Sequence, residues 1–265
     1  MRPRARRIVK PLTARGYALV RPALVRLKLD RRVKYLYEAL YWRRRKADEH
    51  VLGNDWYEPL FTTRVGLDRE AYAGQRVLDI GCGPRGSLEW ADHAARRVGV
   101  DPLVPVYRRL GIDDHAMEYV AAPAEQLPFP DASFDIVTSI NSLDHVDDLE
   151  VTIDEIGRVL APGGLLLVVV EVGHAPTIAE PHRLGWDLAA RFADGFEVER
   201  EEHLEFLTDE PGVGASLRRR VPFDHDDPRE RSATLHLQLR RRAPGAVAAH
   251  ETASSETTSA PAATT

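Results

Sequence analysis

Short apolar runs alternate with longer segments of helical periodicity through the middle of the chain. Apolar runs bounded by glycine, proline or aspartate are typical of strands that are buried on both faces of a sheet. The last two runs instead alternate polar and apolar positions with period two, which is typical of half-buried strands, and they are expected to close the sheet. The predicted strands cover residues 77–80, 98–100, 118–121, 134–140, 165–172, 196–206 and 234–239.

The segments between these strands predict helices. Helices are expected over residues 87–96, 105–110 and 148–160, and Pro162-Gly163-Gly164 is expected to end the last of them before the next strand. Strands that alternate with helices favour a parallel sheet with right-handed crossovers. The predicted fold class is therefore α/β, a doubly wound, Rossmann-like and mostly parallel sheet of about seven strands.

A helical N-terminal extension is expected to precede this sheet. Apolar and aromatic residues recur at helical spacing from Val33 to Tyr41, with basic residues on the other faces. We expect three zones: a basic helical extension over residues 1–70 that is a candidate lid, a folded domain over 71–242, and a tail over 243–265. The tail contains Ala, Thr, Ser and Pro but no Leu, Ile, Phe, Tyr or Trp, and this composition predicts disorder.

Charge is distributed unevenly along the 265 residues. Residues 1–46 carry a net charge of +14, whereas the remainder carries −19. A basic segment on an acidic body predicts either an anionic partner or an arm that folds back on its own domain. Tyr41 and Trp42 beside a run of four bases favour peripheral contact with an anionic membrane surface. Nucleic acid is disfavoured, because no recognised module is present.

Composition limits the compartment and the class of protein. Hydrophobic residues make up 43% of the chain, which is enough for a core. No apolar run reaches about 18 residues, so no membrane-spanning helix is expected. Cys82 is the single cysteine of the sequence, which excludes an intramolecular disulfide and a zinc site of several cysteines. We expect a cytoplasmic protein, with the peripheral membrane contact as an addition.

The strongest chemical signal is the turn Gly81-Cys82-Gly83-Pro84-Arg85-Gly86 after the first predicted strand. Its glycines permit a tight turn and let a ligand approach the backbone closely. Asp101 follows Gly81 by about 20 residues at the end of the next strand, where a carboxylate accepts hydrogen bonds from both ribose hydroxyls. Together they predict a nucleoside-containing ligand at the switch point of the sheet.

The residue two positions before this turn separates two classes of nucleoside ligand. A dinucleotide places its pyrophosphate close to the turn, where the anion of Asp79 is unfavourable. S-adenosylmethionine instead carries a cationic amino group that suits a carboxylate. A nicotinamide-dependent oxidoreductase remains an alternative, as does a protein that binds S-adenosylmethionine without catalysis.

The segment Val77-Leu78-Asp79-Ile80-Gly81-Cys82-Gly83 resembles the first motif of class I S-adenosylmethionine-dependent methyltransferases. Four further segments agree with that family in order and spacing, namely residues 98–102, 124–129, 134–137 and 160–164. The resemblance covers roughly residues 70–240 and is nearest to the group that acts on small molecules (the type 11-like group). It implies that residues 71–242 bind S-adenosylmethionine and transfer its methyl group to a small-molecule acceptor.

The same resemblance implies roles for individual residues. The matching cofactor-binding positions are Asp79, Gly81, Gly83, Gly86, Asp101, Leu103, Ala124, Glu125 and Asn141. In the family the aspartate and glycines of the first motif hold the methionine end, Asp101 binds the ribose, and Leu103 lines the adenine pocket. Ala124 and Glu125 would face the adenine, and Asn141 would lie by the sulfonium. Pro84-Arg85 departs from the small residues that are usual in this loop.

The loop after the fourth predicted strand supplies the candidate catalytic residues. His145 is the candidate general base and Asp144 its orienting partner or replacement, although a packing role for this histidine is the alternative. A base is needed only if the acceptor must lose a proton, and oxygen is the slightly favoured acceptor atom.

Two further groups of residues leave alternatives open. The polar residues Glu171, His174, Glu180 and His182 resemble a ligand set, but Pro176 and Pro181 interrupt the stretch. We therefore expect them to line the acceptor pocket, and no metal is predicted. The aromatic residues Trp56, Tyr57 and Phe61 either line the pocket beneath the N-terminal helix or pack the extension onto the sheet.

Overall fold

A seven-stranded sheet forms the centre of the computed structural model, which describes residues 14–207 and 214–243. The order of strands across the sheet is β3-β2-β1-β4-β5-β7-β6. The strands are β1 (Arg76–Ile80), β2 (Arg96–Val100), β3 (Glu118–Val120), β4 (Phe134–Ile140), β5 (Leu160–Val172), β6 (Phe196–Glu205) and β7 (Ala233–Arg241). β1 to β5 pair in parallel, whereas β7 is antiparallel to both β5 and β6. The predicted seven-stranded, mostly parallel sheet is confirmed.

Helices precede the sheet and connect its strands. They are α1 (Ala14–Arg26), α2 (Asp30–Glu49), α3 (Tyr57–Phe61), α4 (Val104–Tyr107), α5 (Leu149–Val159), α6 (Leu188–Arg191) and α7 (Gly214–Arg219). Short 3-10 turns add Thr63–Val65, Arg69–Tyr72, Arg108–Leu110, Ile112–Asp114 and Leu143–His145. The helical N-terminal extension is confirmed, as are helices near residues 105–110 and 148–160. None of the helices in the described ranges is both long and apolar enough to cross a membrane.

The helix predicted over residues 87–96 is wrong, because turns join β1 to β2 in this fully described segment. The backbone carbonyls that a helix would use are occupied by side chains. Arg97 donates to the carbonyls of Leu88 and Glu89, and Arg69 donates to that of Trp90. The Trp90 ring also packs edge-on against Tyr72, with 4.8 Å between ring centroids. Tertiary contacts of arginine and tryptophan therefore replace helical hydrogen bonds.

The glycines after α5 do not separate it from the following strand. β5 begins at Leu160, earlier than predicted, and contains Pro162, Gly163 and Gly164. Its pairing with β4 shifts register between Phe134 and Ile136, and this bulge accommodates the extra residues.

Two apolar layers cover the sheet and hold the extension in place. Phe61 and Tyr72 are fully buried on one side and pack with β1, β4 and β5, so this part of the extension belongs to the core. α5 packs on the other side through Ile153 and Ile156. The predicted disordered tail over 243–265 lies outside the described residues except for Ala243, so its disorder stays a prediction.

Candidate functional site

A cavity of about 940 Å³ opens at the carboxyl ends of β1, β2 and β4. Parallel α/β sheets bind ligands at this edge, where the strand order reverses. Eight of the predicted site residues line it, namely Gly81, Gly83, Asp101, Leu103, Ala124, Glu125, Asn141 and His145. Asp79, Gly86 and Asp144 are not among the lining residues. α2 contributes Glu38, Trp42 and Glu49 to the lining, and its role as a lid stays a prediction.

The glycine turn approaches its neighbours so closely that side chains are excluded. Gly81 and Gly83 have φ values of +70° and +57°, which favour glycine. A Cβ atom at Gly81 would stand 2.3 Å from the Ser142 Cβ, and one at Gly83 would stand 3.2 Å from the Trp42 ring. The turn therefore forms the floor of the cavity between the β4 loop and α2.

Asp101 lies at the end of β2 with its side chain directed into the same cavity. Its carboxylate accepts hydrogen bonds from the backbone amides of Leu103 at 2.8 Å and Gly83 at 3.3 Å, and from the Tyr107 hydroxyl at 3.3 Å. Burial raises the pKa of Asp101 to about 6, although these hydrogen bonds oppose the rise. The carboxylate thus joins the glycine turn to the segment after β2.

Asp79 lies below the cavity, at the end of β1. It accepts hydrogen bonds from the Thr138 hydroxyl at 2.6 Å and from the Ser87 hydroxyl. Burial raises its pKa to about 6, against the effect of these two hydrogen bonds. Asp79 therefore fixes the turn to β4, and its contact with the methionine end of a cofactor stays a prediction.

The residues expected at the adenine side also line the cavity. Leu103 and Ala124 are buried apolar side chains on its wall. Glu125 also lines the wall, but its Oε1 accepts hydrogen bonds from the backbone amides of Asp147 at 2.5 Å and Asp148 at 3.1 Å. This carboxylate orders the segment before α5, and its contact with adenine stays a prediction.

Asn141 lines the cavity directly after β4. Its φ of +53° is in the left-handed region, and its backbone N–H donates to the Val169 carbonyl at 2.6 Å. Its buried Oδ1 accepts no hydrogen bond from any residue in the described ranges. A buried acceptor without a donor is costly, so this oxygen is suited to a ligand that brings an N–H or O–H group.

His145 lies beyond Asn141 in a carboxylate-rich corner. Its Nδ1 is 3.0 Å from a Glu38 oxygen of α2, and its Nε2 is 3.9 Å from Asp144 and 4.0 Å from Glu180. Burial alone would lower the pKa of His145, but Asp144, Glu38 and Glu180 outweigh it and raise the pKa to about 9. The imidazole is therefore protonated at neutral pH, so it must lose a proton before it can act as the predicted general base.

The polar residues after β5 divide between the cavity and its surroundings. Glu171 and Glu180 line the cavity, as predicted. The His182 ring donates to the Val146 carbonyl at 2.9 Å, whereas His174 lies with its Nε2 3.6 Å from Asp144. The neighbouring Asp144 carboxylate raises the pKa of His174 to about 9 despite its burial.

The three aromatic residues of the extension for which two roles were open also differ in their location. Trp56 and Tyr57 line the cavity, whereas Phe61 is fully buried in the core. Lys34 of α2, which the sequence analysis missed, is buried and donates to the His145 carbonyl at 2.8 Å and to the Asp147 carboxylate. A single lysine on an otherwise basic helix gives no signal of such a contact.

Arg85, the unusual residue of the glycine turn, connects that turn to the extension. It donates to the Glu49 carboxylate at 2.8 Å and to the Gly53 carbonyl at 3.1 Å. Its guanidinium also lies 5.5 Å from the centroid of the Trp42 ring. The departure from the family pattern therefore has a structural role, because it fixes α2 against the turn.

Replacing Arg85 with alanine is expected to lower the free energy of unfolding by about 2 kcal/mol, because Glu49 and the Gly53 carbonyl lose a charged, mostly buried partner. Arg45→Ala is the matched control, since Arg45 pairs with the same Glu49 carboxylate at 2.6 Å but is more exposed. In urea unfolding, the free energy of unfolding of the control should fall by less than about 0.5 kcal/mol. Equal losses would contradict the anchoring role of Arg85.

Residues 78–168 match the family described as "Methyltransferase domain". The O-methyltransferase resE of Aspergillus sclerotiorum is 31% identical over 57% of this chain and 59% of its own length. The malonyl-[acyl-carrier protein] O-methyltransferase of Pseudescherichia vulneris is 39% identical over 44% of this chain and 45% of its own length. The chain thus spans about half the length of these curated relatives.

A solved structure agrees with the fold. The N-methyltransferase NodS of Bradyrhizobium japonicum, in complex with S-adenosyl-L-homocysteine, superposes with a TM-score of 0.52. It is 16% identical, and the match covers 72% of this chain and 89% of NodS. At this level of identity the likeness concerns the fold alone.

Proposed function

We propose that the protein transfers a methyl group from S-adenosylmethionine to a small-molecule acceptor, because residues 78–168 match a methyltransferase domain family and the fold is that of class I S-adenosylmethionine-dependent methyltransferases. The observation that carries this proposal is the single cavity shared by the glycine turn, Asp101 and Asn141. One end offers the backbone and carboxylate that suit a nucleoside. The other end offers polar groups around an open space for the acceptor.

The arrangement supports catalysis mainly by alignment. Methyl transfer is an in-line displacement in which the bond from carbon to the sulfonium breaks as the bond to the acceptor forms. Holding both reactants aligned in one cavity is worth several kcal/mol of the barrier. Asn141 Oδ1 is the acceptor for a donor group of the ligand, and His145 is the proposed base once it has lost its proton.

The test is titration calorimetry with S-adenosylhomocysteine, followed by transfer of labelled methyl groups to extracted metabolites. We expect saturable binding and a labelled small-molecule product. Binding without product in any extract favours a protein that binds the cofactor without catalysis. Binding of NADH in place of S-adenosylhomocysteine, followed by its fluorescence, would favour the oxidoreductase alternative.

Oxygen is the acceptor atom that we propose. The two curated relatives described above are named O-methyltransferases, which supports this choice. A hydroxyl must lose its proton on methylation, and the carboxylate-rich corner around His145 provides groups that take up protons. Fragmentation of the labelled product in a mass spectrometer would identify a methyl on nitrogen or carbon instead.

The extension also supports a second proposal, that the protein acts in the cytoplasm and contacts an anionic lipid surface. Four of its leucines are strongly exposed, at 83% for Leu19, 64% for Leu27, 60% for Leu36 and 55% for Leu40. Leu36 and Leu40 share one face of α2, since they are four positions apart. Exposed leucines within a segment of net charge +14 are typical of helices that lie on anionic lipid.

The double variant Leu19→Glu/Leu27→Glu is expected to weaken binding to phosphatidylglycerol-containing vesicles at least about tenfold, because two apolar side chains no longer enter the lipid. Val51→Glu, at a residue that is 72% exposed, is the control and should bind as the wild type does. Co-sedimentation at low and high salt provides the measurement. Equal binding to phosphatidylcholine vesicles, or none to either, would contradict the proposal.

A further inference from the structure

A buried carboxylate that does not itself line the cavity lies beside His145. Asp144 is 1% exposed, and neither of its oxygens accepts a hydrogen bond from any other described residue. Its nearest cationic atoms are His174 Nε2 at 3.6 Å and His145 Nε2 at 3.9 Å, both beyond hydrogen-bond distance. A buried carboxylate in this state is expected to have a further partner.

Two more side chains direct ligand atoms toward Asp144. One oxygen or nitrogen from each of Asp144, His145 and Glu180 lies within 4.8 Å of the other two. They reach this point from different elements, since Asp144 and His145 follow β4 whereas Glu180 follows β5. The separations of 3.9 and 4.0 Å around His145 Nε2 need only a small contraction to surround one ion with bonds of about 2 Å.

The orientation of the His145 ring also suits a metal ligand. The Nδ1 of its ring is held at 3.0 Å by Glu38 of α2, which leaves Nε2 to face Asp144 and Glu180. Histidines that bind metals are usually held in this way, with a carboxylate on the second ring nitrogen fixing the tautomer. Glu38 is therefore a positioning residue, and it connects α2 to the cluster.

We propose that Asp144, His145 and Glu180 bind a divalent first-row transition metal ion at the acceptor end of the cavity. One imidazole and two carboxylates suit Mn²⁺ or Zn²⁺ better than Mg²⁺ or Ca²⁺, which prefer oxygen alone. Three protein ligands leave coordination positions open, as in catalytic rather than structural sites. His145 and Glu180 line the cavity, so the ion is within reach of a bound acceptor.

The ion would also define the class of acceptor, an inference that rests on the proposed function. With the ion bound, His145 would be a ligand and no longer the base, because both of its ring nitrogens would be engaged. The ion would instead lower the pKa of a bound acceptor hydroxyl, whose proton would pass to water, and two neighbouring oxygens on the acceptor would chelate the ion and hold one of them toward the methyl group. We therefore infer acceptors that carry two adjacent oxygen functions.

Metal binding is tested directly on the full chain after treatment with a chelator. Titration calorimetry with Zn²⁺ and with Mn²⁺ is expected to give one site, with Mg²⁺ binding at least about 100-fold more weakly. Asp144→Asn and Glu180→Gln should each weaken binding by more than about 100-fold, and Glu38→Gln by about 10- to 100-fold. His182→Gln is the matched control, because His182 bonds to the Val146 carbonyl, and it should bind as the wild type does.

The same samples are titrated with S-adenosylhomocysteine, so that failure of the metal site is separated from failure of the proposed function. Wild-type protein that binds S-adenosylhomocysteine but neither Zn²⁺ nor Mn²⁺ would overturn the metal site alone. Binding that survives in both Asp144→Asn and Glu180→Gln would place the ion elsewhere and also overturn it. Should Asp144→Asn fail to fold in thermal melting, the partly exposed Glu180→Gln decides the result.

Discussion

Replacing Asp101 with asparagine is expected to weaken S-adenosylhomocysteine binding by about 100-fold or more. A ribose contributes two hydroxyl donors, and hydrogen bonds to a charged acceptor are worth about 1.5–3 kcal/mol each. Loss of about 3 kcal/mol corresponds to roughly two powers of ten in the dissociation constant. The amide group would also present N–H donors toward the Gly83 or Leu103 amides, which now donate to the carboxylate. Titration calorimetry measures the change.

Two further variants separate the charge of Asp101 from its surroundings. Tyr107→Phe removes one donor to the carboxylate and should weaken binding only a few-fold. Asp135→Asn removes a carboxylate that pairs with Arg76 at the opposite end of β4, and it should leave the affinity unchanged. A folded Asp101→Asn protein that binds S-adenosylhomocysteine within threefold of wild type would contradict the assignment of Asp101 to the ribose.

Asp101 also predicts the pH dependence of this binding. Burial raises its pKa to about 6, and ribose hydroxyls donate to the charged form of the carboxylate. Binding is therefore fully developed above pH 6 and weakens by up to about tenfold per pH unit below it. Asp101→Asn removes this titration, whereas Asp135→Asn, at the opposite end of β4, leaves it in place. An unchanged slope in Asp101→Asn would assign the titration to another group.

The sheet could be predicted because its signals are local. β1 is buried at nearly every position, so a short apolar run was enough to identify it. The helix over residues 87–96 could not be excluded in this way. The helical propensity of this segment is overridden by Arg69 and Arg97, which donate to its backbone carbonyls. These hydrogen bonds form only in the folded protein, so local sequence patterns do not predict them.

The site also contains residues that local signals predict and residues that they do not. Gly81 and Asp101 were predictable because a strand, a turn and a fixed spacing place them at one edge of the sheet. Glu38 and Glu180 were not, since each reaches His145 from a segment whose position depends on tertiary packing. The polar residues after β5 gave a partial signal, but it grouped Glu180 with His182 rather than with the loop after β4.

Replacing Gly81 with alanine is expected to lower the free energy of unfolding by about 2–4 kcal/mol and the melting temperature by roughly 10 °C. Two effects destabilise the variant. The φ of +70° strains the backbone of a residue with a Cβ, and that Cβ would clash with the Ser142 Cβ at a distance of 2.3 Å. Ser142 cannot easily move, because its hydroxyl donates to the Ile80 carbonyl at 2.7 Å and bonds to Ser139 at 2.6 Å. Thermal and urea unfolding measure the loss.

Gly74→Ala separates these two effects. Gly74 has nearly the same φ of +69°, but a Cβ there would meet no heavy atom within 4 Å among the described residues. Gly74→Ala is therefore expected to lower the free energy of unfolding by about 1 kcal/mol, and this decrease measures the backbone strain alone. The difference between the two variants measures the close approach of the glycine turn to the loop after β4, and equal losses would contradict that approach. Since this contact forms the floor of the cavity, Gly81→Ala should also weaken S-adenosylhomocysteine binding, whereas Gly74→Ala should not.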